Sequence, residues 1–379
     1  MSYSQIESER LEDSSVAASN AVHVRSLFPS FSFLLNTMES SIMRLNTESA
    51  HFALMHIVRE ADSQESASSA SAPSTSRAFI EANTIATSFS EVRRDHIIPV
   101  FVKDNEPLIS QADFIQVMAE SIRDVFRGEQ FLAPQVRVSH PIKGRIPEAK
   151  DKPAAQLQDG ERTLYYERLM FAIEVPTLFA TVGGNQLTFV VGGVKAYNLD
   201  NLYNRKGTAE HFKLFVGFEN MVCTNLCVRS DGYAGDVRAS SLDQLGKMIQ
   251  GLLRTYDPRQ HLRQLQDLTK HSLTEHQFAQ LIGRCRMYQH LPAAAKQHIP
   301  ALLYGDQQLA SVCRDYYRDQ SFCRDTNGDI SLWRLYNLFT GANKSTYIDQ
   351  FLDRSVNALD FAMQVQEAVE GRSTSWYLS

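Results

Sequence analysis

The sequence predicts an α+β protein in which an antiparallel sheet with one flanking helix is followed by a helical C-terminal region. Three observations predict it. Strand-like runs fill residues 135–228, and Gly183-Gly184-Asn185 joins two of them with residues that accept positive φ, as a tight antiparallel hairpin requires. Residues 113–126 space Phe114, Val117, Met118, Ile122 and Val125 at helical intervals just ahead of the strands. From about residue 242 onward the apolar period is helical and stays so.

In chain order, residues 1–77 are expected to be an acidic extension. It holds one amphipathic helix over 39–60 and a short apolar cluster at 27–35, and ends in a Ser-rich linker at 63–76 with too little apolar surface to offset the entropy of ordering it. A sheet domain should span 78–240, a helical region packed on it 241–372, and a tail 373–379. Within the sheet domain, 96–104 reads as a strand that Pro99 confines to an edge or a strand start. Further strands are expected at 135–140, 163–175, 186–195 and 212–228, and the Gly-rich run 230–236 reads as the turn that ends them. Helices are expected over 242–256, from a capping box at Ser272 and Glu275 through Cys285, and over 306–318. Two more are expected, one over 331–339 capped by Asp329 or Ser331 and one over 346–370.

Composition narrows the function. The 379 residues are 43% hydrophobic, enough for a substantial core, and no run approaches the roughly 18 apolar residues of a membrane span. The polar N-terminus lacks the pattern of a secretory signal, and five cysteines at irregular spacing suit thiols in a reducing, cytoplasmic setting. Net charge is -5, and residues 1–95, with 7 basic and 12 acidic side chains, carry the whole deficit. A nucleic-acid surface would therefore be a local patch and not a basic domain.

Residues 136–153 supply the best such patch. Arg137, Lys143, Arg145, Lys150 and Lys152 face only Glu148 and Asp151, and Pro141, Gly144, Pro147 and Pro153 exclude a helix. A stiff backbone carrying charge-assisted donors suits an anion, and Lys143 and Arg145, two apart, share a face if the strand continues. The plainer alternative is a solvated loop. His140 with Glu148 and Glu167 forms the competing acid–base or metal set of a hydrolase, although its spacing matches no metal signature. Cys223 and Cys227 would share a strand face as packed thiols.

Residues 197–206 interleave Tyr197 and Tyr203 with amides and Arg205-Lys206, a mixture suited to stacking bases and holding a strand, set against a capped surface loop. Residues 340–346 fail as a phosphate-binding loop, with Leu338 and Asn343 where glycines belong. They still read as a polar turn feeding a helix, where Lys344 could hold a phosphate. Residues 325–329 fail as a calcium loop and read as a turn.

The runs SHPIKGRIPEAKDKPA, LYYERLMFAIEVP, VGGVKAYNLDNLYN, VCTNLCV, LIGRCRMYQHLP and LWRLYNLFTGANKSTYIDQFLDRSVNA together resemble the Bacteroidetes family of domain of unknown function number 3871, over about residues 79–369. More distantly, VCTN with the late Trp333, Asn337 and Thr340 is similar to a pattern in phage- and plasmid-related proteins. That resemblance implies a mobile-element setting, and no catalytic residues carry over from it.

The expectation is a non-enzymatic nucleic-acid-binding or annealing accessory factor for DNA, single-stranded if the tyrosines stack. It would use His140, Lys143, Arg145, Lys150, Arg205, Lys206 and Lys344 on phosphates and Tyr197 and Tyr203 on bases, with no cofactor, metal or membrane contact. A homo-oligomer is compatible with such a role. A hydrolase and a protein-interaction scaffold or inhibitor of a defence protein are the alternatives.

Overall fold

The structure is a computed structural model that describes residues 78–95, 109–197 and 209–379. The expected elements at 27–35, 39–60, 63–76 and 96–104 lie outside the described residues, as do Tyr203, Arg205 and Lys206. A short strand β1 (Ile85–Thr87) and a helix α1 (Phe89–Arg94) come first. Helix α2 (Gln111–Val125) starts where Ser110 and Asp113 cap each other reciprocally, and it buries Phe114, Ile115, Met118 and Ile122.

Strands β2 (Gln135–Val138), β3 (Pro141–Arg145), β4 (Arg162–Tyr166), β5 (Arg168–Val182), β6 (Asn185–Ala196), β7 (Glu210–Asn220) and β8 (Asn225–Ala239) follow. Six of the strands form one antiparallel sheet in the order β1-β2-β5-β6-β7-β8, and β3 pairs with β4 apart from it. The hairpin at Gly183-Gly184 is as expected, with φ of 56° and 78°. A Cβ on Gly183 would come within 2.6 Å of the Trp333 ring, so glycine here serves both the turn and its docking.

Three strand readings need correction. The run 163–175 is two strands parted at Glu167, and the second passes through Pro176 because a register shift between Val175 and Phe179 absorbs the missing donor. The run 212–228 is also two strands, joined by a turn in which Thr224 takes φ 56°. Cys223 therefore sits in that turn and Cys227 on β8, so the two do not share a strand face. The Gly-rich run 230–236 is not a turn but an irregular part of β8, where a Cβ on Gly232 would lie 2.3 Å from the Val216 carbonyl oxygen.

Helices α3 (Leu242–Thr255) and α4 (Pro258–Asp267) lead to strand β9 (Ser272–Leu273), helix α5 (Glu275–His290), the short α6 (Ala293–Lys296) and α7 (Asp306–Arg318). Strand β10 (Ile330–Ser331), helix α8 (Leu332–Asn343) and helix α9 (Ile348–Val369) complete the chain. The capping box of α5 is Thr274 with Gln277, because Ser272 and Leu273 pair with β10 instead. Ser331 caps α8, which runs on to Asn343 beyond the expected end at 339. Arg334 binds Asp325 in the 325–329 turn, consistent with a structural turn.

The sheet lies between two apolar layers. One face sets Phe171, Ile173, Phe189, Val216 and Phe218 against α2, α3 and the later helices in a single core. The other sets Met170, Ala172, Val190, Phe215, Leu226 and Val228 against Phe79, Ile80 and the first turns of α9 through Ile348, Phe351 and Leu352. At about 1.5–3 kcal/mol for each large apolar side chain, burial on both faces dominates the stability of the sheet.

Candidate nucleic-acid interface

The cationic segment is a folded arm. β3 and β4 pair from Pro141–Tyr166 to Arg145–Arg162, and the connection 146–161 closes on itself through a 3.0 Å bond from the Ile146 N–H to the Glu161 carbonyl. Because strand side chains alternate, Lys143, Arg145, Arg162 and Leu164 share one face of this ribbon. The two arginines also fold the connection down. Arg145 donates to the carbonyls of Lys150 and Lys152, and Arg162 reaches the Leu157 carbonyl at 3.4 Å and Asp159 at 3.7 Å. Lys152 is committed to Glu161. Lys143, Lys150 and His140 are exposed, and among the described residues Lys143 and Lys150 make no ion pair.

Tyr197 marks where the chain leaves β6 beside the arm. Its N–H donates to the Glu167 carbonyl at 2.8 Å, and its ring packs against Tyr165 with centroids 4.9 Å apart. At 2% exposure this ring is inside the protein and is not placed to stack a base, which corrects the expectation for it. Below it, Lys195 and Glu210 form a buried ion pair, with the ammonium over the Tyr197 and Phe212 rings at 4.8 and 4.5 Å. The Ile109 carbonyl also accepts from Lys195, at 2.6 Å. This pair pins the sheet end from which the arm springs.

Lys344 is not a surface cation. It is 6% exposed at the end of α8, and its ammonium donates to the Cys223 carbonyl and, at 2.8 Å, to the Thr224 hydroxyl. Those acceptors lie in the β7–β8 turn at the opposite end of the sheet from the arm, so Lys344 does not join Lys143 and Arg145 in one cradle. His140 and Glu148 are exposed, and Glu167 lies 3.7 Å from Arg168. Among the described residues no cluster of three or more His, Cys, Asp or Glu side chains is arranged to hold a metal ion.

Within VCTN, Cys223 and Asn225 meet the late Asn337 in space. Asn220 donates to the Asn337 side chain at 3.1 Å, Asn225 to the Asn337 carbonyl at 3.0 Å, Asn337 to the Trp333 carbonyl at 2.9 Å, and Trp333 to Asn185 at 3.0 Å. Residues 61–378 match the family described as "Domain of unknown function, B. Theta Gene description (DUF3871)". The chain belongs to this family. The DUF3871 match begins at residue 61, so the family segment includes the whole of the expected 63–76 linker. No curated protein and no solved structure matches the chain.

In this DUF3871 protein the sheet also carries two buried carboxyls that sequence reasoning missed. Glu219 is 1% exposed, and burial pushes its pKa up to about 8, with the nearby Glu174 adding to the shift and Lys344 opposing it. Burial also raises Glu174, which accepts from Gln135. The Cys223 thiol is pushed up to about 11 and that of Cys227 to about 12, mainly by burial, so neither is a ready nucleophile at neutral pH. Arg162 was missed as well; the pairing register that sets it opposite Arg145 would have found it.

Proposed function

We propose that the protein is a non-enzymatic nucleic-acid-binding accessory factor that holds a phosphate backbone along the arm. The observation that carries this reading is the ribbon that exposes Lys143 on the face where Arg145 and Arg162 hold down the connection, with Lys150 exposed on that connection. The segment with Tyr203, Arg205 and Lys206 follows Tyr197 in the sequence and would supply further phosphate donors and one ring for stacking. Tyr197 and Lys344 have no part in the interface, since both are buried. Exposed Glu148, Asp151 and Asp159 on the arm keep the patch small and the binding salt-sensitive.

Single-stranded DNA is the favoured ligand, and the resemblance of VCTN, Trp333, Asn337 and Thr340 to phage- and plasmid-related proteins supports a mobile-element role in the cytoplasm. No helix among the described residues is long and apolar enough to cross a membrane. The test is fluorescence anisotropy of labelled single-stranded DNA with the full chain and with Lys143→Ala/Lys150→Ala. At about 0.7 per phosphate contact on a single strand, the double variant should flatten the log–log salt slope by about 1.4. An unchanged affinity and slope would remove the arm from the interface.

A further inference from the structure

At the end of the sheet away from the arm, Glu174 of β5 and Glu219 of β7 lie on the same face, either side of β6, where Thr188 is opposite Glu219. Among the described residues, the Oε2 atom of Glu219 has no hydrogen-bond partner. The nearby cation, Lys344, is already held by the Cys223 carbonyl and the Thr224 hydroxyl. Thr224, a β-branched residue at φ 56°, occupies backbone space that such residues rarely adopt, so the turn is held closed against its own preference. The same lysine's carbonyl accepts from the N–H groups of Glu81 and Ala82 at 2.9 and 3.0 Å, so the start of the described chain is tied to this position too.

We propose that Glu174 and Glu219 form a proton-controlled latch on the 221–224 turn. While Glu219 keeps its proton, the Lys344 ammonium closes the turn. When that proton passes to solvent, the new carboxylate draws the ammonium from the Cys223 carbonyl, and the turn, with its exposed Met221 and Val222, opens. Among the described residues, the other groups around the pair leave this exchange to Lys344. Gln135 from β2 is neutral and engaged on Glu174, and Cys227 from β8 and Cys223 in the turn are protonated thiols. Asp319, which bears on Cys223, lies at the end of α7. Helix α9 presents Ile348, Phe351 and Leu352 to this face, while its Asp349 and Asp353 are taken by Arg168, Lys213 and Tyr233. Glu81 faces Arg137. The latch is independent of the DNA reading, since it uses none of the arm residues.

The test is hydrogen exchange of the full chain read by mass spectrometry on peptides covering 220–226. It would be run at about pH 6.5 and about pH 9 and corrected for intrinsic exchange rates. Wild type should lose protection about tenfold or more at the higher pH, Glu219→Gln should lose none, and Lys344→Met should be open at both. Glu174→Gln, which removes the neighbouring carboxylate, should move the opening to lower pH. An equal loss of protection in wild type and Glu219→Gln, no loss in wild type, or no displacement in Glu174→Gln would overturn the proposal.

Discussion

Replacing Glu219 by Gln should make the protein more stable at neutral pH. The folded-state pKa of about 8 stands above the ordinary 4.5, so the native state holds a proton that the unfolded chain releases. The stabilisation is complete below pH 4.5 and is lost as pH rises through the folded value, at about 1.4 kcal/mol per pH unit for one proton. Over the whole interval wild type gives up about 5 kcal/mol, of which about 3 kcal/mol is already gone at pH 7. Gln copies the shape of the protonated acid and cannot ionise, so Glu219→Gln should exceed wild type by about 2–3 kcal/mol at pH 7 and by little near pH 4.5. Urea unfolding of both proteins at closely spaced pH values measures the difference directly, and other titrating groups cancel in it. Parallel stability profiles would refute the argument that Glu219 is buried and protonated.

Other substitutions probe other parts of the fold. Lys195→Met removes the ammonium from the buried Glu210 carboxylate beneath the arm and should cost about 3–5 kcal/mol in denaturant unfolding, with much of it recovered in Lys195→Met/Glu210→Leu. Gly183→Ala forces a Cβ to within 2.6 Å of Trp333 at a φ of 56°, and should lower stability by more than about 1 kcal/mol and shift tryptophan fluorescence. His261 is fully buried with Nδ1 2.7 Å from the Tyr256 hydroxyl, and burial lowers its pKa to about 3. Its stabilisation is present above the ordinary 6.5 and lost as pH falls toward 3, so its ring protons in NMR should keep neutral-imidazole shifts at about pH 5.

Local signals carried much of the architecture. Gly183-Gly184 announced its hairpin because few residues tolerate positive φ, and α7 and α9 followed apolar periods that tertiary packing had no reason to override. The β7–β8 turn was hidden because Met221, Val222, Cys223 and Thr224 look like more strand, with no glycine or proline where the chain reverses. The strand expected to end at 175 runs on through Pro176, and this was hidden because a bulge cannot be read from one strand alone. At the candidate site, the shared face of Lys143 and Arg145 was legible from their spacing, whereas Arg162 depended on register. Lys344 looked like a surface cation because lysine is seldom buried, and its acceptors lie some 120 residues away along the chain. The raised pKa of Glu219 likewise comes from burial by elements distant in sequence.

The most direct test of the central claim is the salt dependence of binding to single-stranded DNA by the full wild-type chain. With Lys143, Lys150, Arg205 and Lys206 each meeting a phosphate, log affinity should fall linearly with log salt at a slope of about -2.8, and more weakly bound duplex should compete poorly. Absence of binding at low salt, or an affinity that salt leaves unchanged, would contradict a phosphate-contacting arm.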